Sequence, residues 1–293
     1  MKKYWIFYLA IIMVLFVGCS NNAAEDPAVS TQPAKAEETQ GIEEAATIAE
    51  ETRSETVRIG ITAQYLDIFE YALEEFERLS EKTLEIIVFD DYVQPNVALV
   101  EGSIDVNAFQ FKNYLDTYNE ERGTDIKMYG DKGIYATPYG IYSDKYTTLD
   151  DIENAKIAIS NDKTNRGLCL RLLDEQKLIT VGGDDPLPDP FDITDNPYNL
   201  ELIEIGNTRD VFASLKDVDY GVTTGIIVHL AGEDATKAIA VGSSDLLQET
   251  ALIIAVTEER LEEPWLEDLF ESLTNERMKT YLKENYDGAL VVE

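Results

Sequence analysis

A chain with a single histidine, His229, and two cysteines, Cys19 and Cys169, has little with which to run nucleophilic or zinc chemistry. None of the patterns GxSxG, GxxxxGKS/T, GxGxxG or HExxH occurs. Carboxylates are plentiful, 57 Asp and Glu against 24 Lys and Arg, so no single acid pair stands out as a glycosidase-like couple. The residue types point to binding rather than catalysis, and the chain is read as not an enzyme, with no cofactor and no metal.

Two stretches carry the chemistry of recognition. The first, DYVQPNVALVEGSIDVNAFQFKNYL (91–115), holds Tyr92, Phe109, Phe111 and Tyr114. Phe109 and Phe111 are two apart on an expected strand and would share one face. With Tyr114 at the next helix start they can form an aromatic wall for an apolar or thioether side chain, or else fill a core. The second, SNDKTNRGLCLRLL (160–173), reads as a strand end, a polar loop and a helix whose Leu168, Leu172 and Leu173 share one face. Unpaired N–H groups at a helix N-terminus suit a carboxylate, with Asn165 offering an amide and Arg166 a cation. The alternative is ordinary N-capping with Arg166 on the surface.

The elements that must position these residues alternate. VRIGI, LDIFEYALEEFERLSEK, LEIIVFD, VQPNVALVEG and SIDVNAFQF read as β-α-β-α-β, a parallel sheet flanked by helices. From about Tyr135 the pattern restarts: YGIYS, a short helix TLDDIENA, KIAIS, a helix, LELIEI, a DVFASLKD helix and DYGVTTG. Two helices, PWLEDLFESLTN and ERMKTYLKENY, close the chain. The expected fold is α/β, two lobes with a ligand cleft between them, lobe 1 from 57–135 plus 240–293 and lobe 2 from 136–239. Residues 182–199, with four prolines and five aspartates, read as an irregular loop; their spacing lacks the EF-hand pattern.

The 293-residue chain carries a formal charge of -33, which excludes nucleic acid as a partner. MKK followed by about 14 apolar residues has the form of a signal peptide over 1–18 rather than a membrane span. Phe16-Val17-Gly18-Cys19 is similar to a bacterial lipobox, with Cys19 as the lipidated first residue of the mature protein. Residues 20–56 hold nine acids against Lys35 and Arg53, net -7, and 19–56 read as a lipidated cysteine and a self-repelling tether. Cys169, left without a disulfide partner, is expected to be a small core or pocket-wall residue.

Asp91-Tyr92-Val93-Gln94-Pro95-Asn96, Asp105-Val106-Asn107-Ala108-Phe109-Gln110, Tyr114-Leu115, Asn161-Asp162, Thr164-Asn165 with Gly167, Asp217-Val218-Asp219 and Asp287-Gly288-Ala289 resemble the NlpA lipoprotein family over about residues 57–293. The resemblance implies a type II periplasmic-binding-protein fold and a lipid-anchored, monomeric, extracytoplasmic receptor on the cell membrane. Such a receptor closes on methionine or a related small amino-acid derivative or dipeptide and delivers it to an ABC permease and its ATPase. Three positions depart from the family pattern. Phe111 stands where a histidine is usual. Leu168 stands where an arginine clamps the ligand carboxylate, and Thr224 where an asparagine helps to bind. The scaffold is kept and the clamp altered. An orphan surface lipoprotein using the fold for sensing or adhesion is the alternative.

Overall fold

The computed structural model describes residues 55–291. The signal peptide, Cys19 and nearly all of the tether lie outside the described residues. Two five-stranded sheets organise the rest. The first contains β1 (Thr56–Thr62), β2 (Thr83–Phe89), β3 (Val106–Asn107) and β4 (Lys127–Met128). The second contains β5 (Tyr139–Tyr142), β6 (Lys156–Ser160), β9 (Glu201–Ile205), β10 (Tyr220–Thr224) and β11 (Ala240–Val241). A ribbon of β7 (Thr180–Val181) and β8 (Ile193–Asp195) stands apart, and β12 (Ala255–Val256) returns to the first sheet. The strand orders are β2-β1-β3-β12-β4 and β11-β5-β10-β6-β9. β1 runs parallel to β2 and β3, and β6 parallel to β9 and β10; the strands near the crossings pair antiparallel.

Parallel strands must be covered on both faces, and this sequence supplies the cover. Ile59 and Ile61 of β1 and Ile157 and Ile159 of β6 are completely buried. The helix Leu66–Ser80 turns Ile68, Phe69, Ala72 and Phe76 inward at helical spacing. It ends at Glu81, whose φ of 56° breaks the helix in the left-handed region. The C-terminal helix Trp265–Thr274 packs beside it. In the second sheet Lys163–Glu175 buries Leu168, Cys169, Leu170, Leu172 and Leu173.

The chain crosses between sheets after Met128 and again between β11 and β12, so Ala240–Val241 belongs with the second sheet. The crossings touch. The Ile134 N–H donates to Leu252 O at 2.7 Å, Leu252 N–H to Tyr135 O at 2.9 Å, and Ala136 and Val291 exchange both their bonds. Gly133 is required there, because a Cβ would sit 2.9 Å from the Leu252 carbonyl oxygen.

Asp105, at the entry to β3, ties this half together. Its carboxylate accepts from Arg58 Nε and Nη2, each at 2.9 Å, from the Arg58 backbone N–H at 2.9 Å, and from Arg260 Nη2 at 2.8 Å.

Two local expectations fail. TLDDIENA forms turns, not a helix; Ile152 and Ala155 are held by turn bonds, and Asn154 takes a φ of 60° that a helix forbids. The third strand stops at Asn107, so Phe109 and Phe111 do not share a strand face. Phe111 instead forms a single antiparallel bridge with Leu252 of the return crossing. Among the described residues no helix is long and apolar enough to cross a membrane.

Candidate functional site

The C-terminal ends of the parallel strands in both sheets face one cavity, the place where open α/β sheets put ligands. About 370 Å³ of empty space lies within it, part of it open to solvent. From the first half come Gln64 and Tyr65 after β1, Tyr92 after β2, Phe109, Gln110 and Phe111 after β3, and Tyr114 from the helix Lys112–Arg122. The second half contributes Asn165, Thr208 and Thr224, and Thr137 comes from the crossing.

Three rings make an aromatic corner. The Tyr92 and Phe109 centroids lie 6.0 Å apart, Phe109 and Tyr114 5.8 Å at 74°, and Tyr92 and Tyr114 6.4 Å at 84°, the edge-to-face geometry such rings prefer. The Tyr114 hydroxyl donates to Tyr92 O at 3.0 Å, which fixes the corner. Burial raises the phenol pKa values of Tyr65, Tyr92 and Tyr114, so all three are neutral hydroxyls at neutral pH.

Behind the corner lies a closed amide network. Asn96 Nδ2 donates to Gln110 Oε1 at 2.8 Å. Gln110 Nε2 and Asn107 Nδ2 both donate to Asn96 Oδ1, at 2.9 and 2.7 Å. Asn96 and Asn107 are wholly buried, and Gln110 alone reaches the cavity. Asn96 is therefore a positioning residue for Gln110.

The helix N-terminus differs from the sequence expectation. Asp162 is its N-cap, and its carboxylate accepts the Asn165 N–H at 2.9 Å, the Ser160 hydroxyl at 2.6 Å and an Asn165 side-chain amide hydrogen shared between its two oxygens, each 2.9 Å from Nδ2. Asn165 Oδ1 accepts from the Tyr139 hydroxyl. The seat expected for a ligand carboxylate is filled by the protein's own, and the Asn165 amide is turned mainly to Asp162. Arg166 is directed elsewhere. Its guanidinium pairs with Asp189 at 2.8 Å and Glu204 at 3.0 Å and does not line the cavity. Leu168 is buried in the core and does not line it either.

Of the residues singled out from sequence, Tyr92, Phe109, Phe111, Tyr114, Asn165 and Thr224 converge on the cavity; Arg166 and Leu168 do not. Gln64, Tyr65, Gln110, Thr137 and Thr208 were missed. The signal for Gln64, Tyr65 and Thr208 was present, since each directly follows the C-terminal end of an expected strand.

Cys169 is a core residue. Its Sγ lies 3.6 Å from Val222 O, and burial pushes the thiol up to about 12, so no thiolate is present to react. Three of the five aspartates of 182–199 cap turns. Asp189 and Asp192 form a capping box around the turn Pro190–Asp192, and Asp185 accepts the Leu187 N–H. No group of three or more His, Cys, Asp or Glu among the described residues is arranged to hold a metal ion.

One cluster joins the two halves across the cavity's edge. Glu249, on the return crossing, accepts from Asn113 Nδ2 at 2.9 Å on the first half and pairs with Arg171 at 2.5 Å on the second. Replacing Glu249 by glutamine keeps an acceptor but removes the charge. Ligand affinity is expected to fall less than about tenfold, because the closed arrangement becomes less populated. Titration calorimetry on Glu249→Gln reads this, and unchanged affinity would show that the cluster carries no closure energy.

Comparison with known proteins agrees with this architecture. A periplasmic substrate-binding protein of an ABC transporter from Coxiella burnetii is 30% identical, with a TM-score of 0.75 over 81% of this chain and 100% of its own. A nutrient-binding protein from Burkholderia cenocepacia, bound to methionine, is 29% identical, with a TM-score of 0.73 over 81% of this chain and 99% of its own. The fold is that of type II periplasmic binding proteins. The D-methionine-binding lipoprotein MetQ of Escherichia coli K12 is 40% identical over 124 residues, 42% of this chain and 45% of its own length. The chain thus aligns with less than half of that relative. The profile of the NlpA lipoprotein family matches residues 57–293, and the chain belongs to that family.

Proposed function

We propose that the protein is a lipid-anchored, extracytoplasmic solute-binding protein of an ABC importer, without catalytic activity of its own. Its ligand is methionine or a related small amino-acid derivative or dipeptide. The observation that carries this reading is the cavity between the two sheets, with an aromatic corner on one side and polar groups on the other. Relatives named for D-methionine binding and a similar structure holding methionine support it. Tyr92, Phe109, Phe111 and Tyr114 hold the apolar side chain; Gln64, Gln110, Thr208 and Thr224 orient its polar end. Cys19 carries the lipid, and 20–56 is the tether to the cell membrane. The monomer closes on its ligand by hinge motion at the paired crossings and presents it to the permease, whose ATPase does the work.

A thermal-shift screen of methionine, methionine dipeptides and capped methionine derivatives tests it. A ligand at about 100 times its Kd adds about 2.7 kcal/mol of stability, a rise of about 5–11 °C in Tm for a domain of this size. No shift with any of them would overturn the reading.

A further inference from the structure

The cavity is lined by eleven residues and not one of them is charged. We propose that it holds a small ligand without a free carboxylate, such as an amide, rather than a zwitterionic amino acid; this inference rests on the solute-binding reading above.

Three observations carry it. First, the arginine next to Asn165 in the chain is tied to two acids, although its buried Nε has no partner. Arg166 is only one-fifth exposed and is committed to Asp189 and Glu204, two acids that already over-neutralise it. Moving it toward a ligand would leave both carboxylates without their cation.

Second, the helix N-terminus next to Asn165 already holds an anion. The Asp162 carboxylate takes hydrogen bonds from three donors there: the Ser160 hydroxyl, the Asn165 N–H and one Asn165 amide hydrogen shared between its oxygens. A second carboxylate would meet its like charge, and a buried unpaired charge is strongly disfavoured. The negative field extends across the cavity. Burial first, and then the Asp162 charge, disfavours ionisation of the phenol of Tyr114, and Asp162 acts on Tyr92 and Tyr139 in the same sense.

Third, the remaining cations are in water. Arg209 acts on Tyr92 but is exposed on the first turn of the helix Thr208–Ala213. Arg122 and Lys163 border a separate outer chamber that meets the cavity at Tyr114, are exposed, and share that chamber with Glu121 and Asp162. Exposed charges of mixed sign offer little to a ligand. What faces the interior is uncharged: phenols, hydroxyls and the Gln64 and Gln110 amides. Such groups match a neutral amide, alcohol or thioether without a desolvation penalty for a charge.

Four probes separate the possibilities by charge alone: L-methionine (zwitterion), N-acetyl-L-methionine (anion), L-methioninamide (amine, no carboxylate) and N-acetyl-L-methioninamide (neutral). Each is titrated at pH 7 into the full chain after unfolding and refolding to remove bound ligand. The two amides are expected to bind at least about tenfold more tightly than the two acids, a difference of about 1.4 kcal/mol. L-Methionine or N-acetyl-L-methionine binding within tenfold of the amides overturns the inference and leaves the solute-binding reading intact. Loss of that acid binding in Arg209→Ala would then give the carboxylate to Arg209. Binding by none of the four overturns both.

Discussion

Replacing Asp105 by asparagine is expected to lower the free energy of unfolding by about 3 kcal/mol at neutral pH, the scale for removing one partner of a buried ion pair. The side chain is 8% exposed and sits between Arg58 and Arg260, which are 17% and 31% exposed. Asparagine keeps the shape but leaves two guanidinium groups facing each other without the anion between them. The same residue sets an acid limit. Burial pushes its carboxyl up, but the bonds from the Arg58 side chain and backbone and the charge of Arg260 outweigh this and hold it below the ordinary 3.8. A folded-state pKa below the unfolded value adds stability that is complete above the unfolded pKa and is lost as pH falls through the folded one. The wild-type protein should therefore lose this margin below about pH 4, while Asp105→Asn has none to lose. Urea melts of the two proteins at pH 7 and pH 3 should differ strongly at the first and by less at the second. A gap as large at pH 3 as at pH 7 would show that shape, not charge, makes Asp105 necessary.

Asp105 also illustrates what a sequence shows and what it withholds. Asp105-Val106-Asn107-Ala108-Phe109-Gln110 stands out as a motif, and its members do three separate jobs: Asp105 ties strands, Asn107 closes an amide network, and Phe109 and Gln110 line the cavity. Alternating apolar strands and amphipathic helices are local patterns, so two α/β halves were legible. The convergence of Tyr92, Phe109, Phe111 and Tyr114 was legible too, although through the wrong geometry: they meet because the chain turns irregular after Asn107, not because two of them share a strand. The fate of Arg166 was not legible. Its partners lie 23 and 38 residues away on an irregular loop and on β9, and no local spacing announces them. Nor does a sequence reveal that Asp162 and Asn165, both good capping residues, bond to one another. Pairing of polar side chains across the fold decides which of them remain available to a ligand, and that is a tertiary property.

The same principle gives the second large effect. Asn96→Leu removes all three bonds of the amide network at once. Leucine keeps the branching of asparagine but is larger, so overpacking adds to the polar loss. The amides of Asn107 and Gln110 stay behind, buried and without the partner that satisfied them. At about 1–3 kcal/mol for each orphaned group, the expected destabilisation is about 3 kcal/mol. Gln110 alone of the three borders the cavity, so its amide is expected to turn toward the open space and compete with the ligand's polar end. Affinity for the tightest of the methionine derivatives should fall about tenfold or more. Gln110→Leu removes the wandering amide instead of freeing it. In the double variant, Asn107 is then the one orphan left, and the two losses of stability should sum to more than the double variant shows. Denaturant titration of both single variants and the double variant, alongside calorimetry on each, measures this coupling. Strict additivity would mean that Asn96 and Gln110 stabilise the protein independently, and that the network does not position the cavity wall.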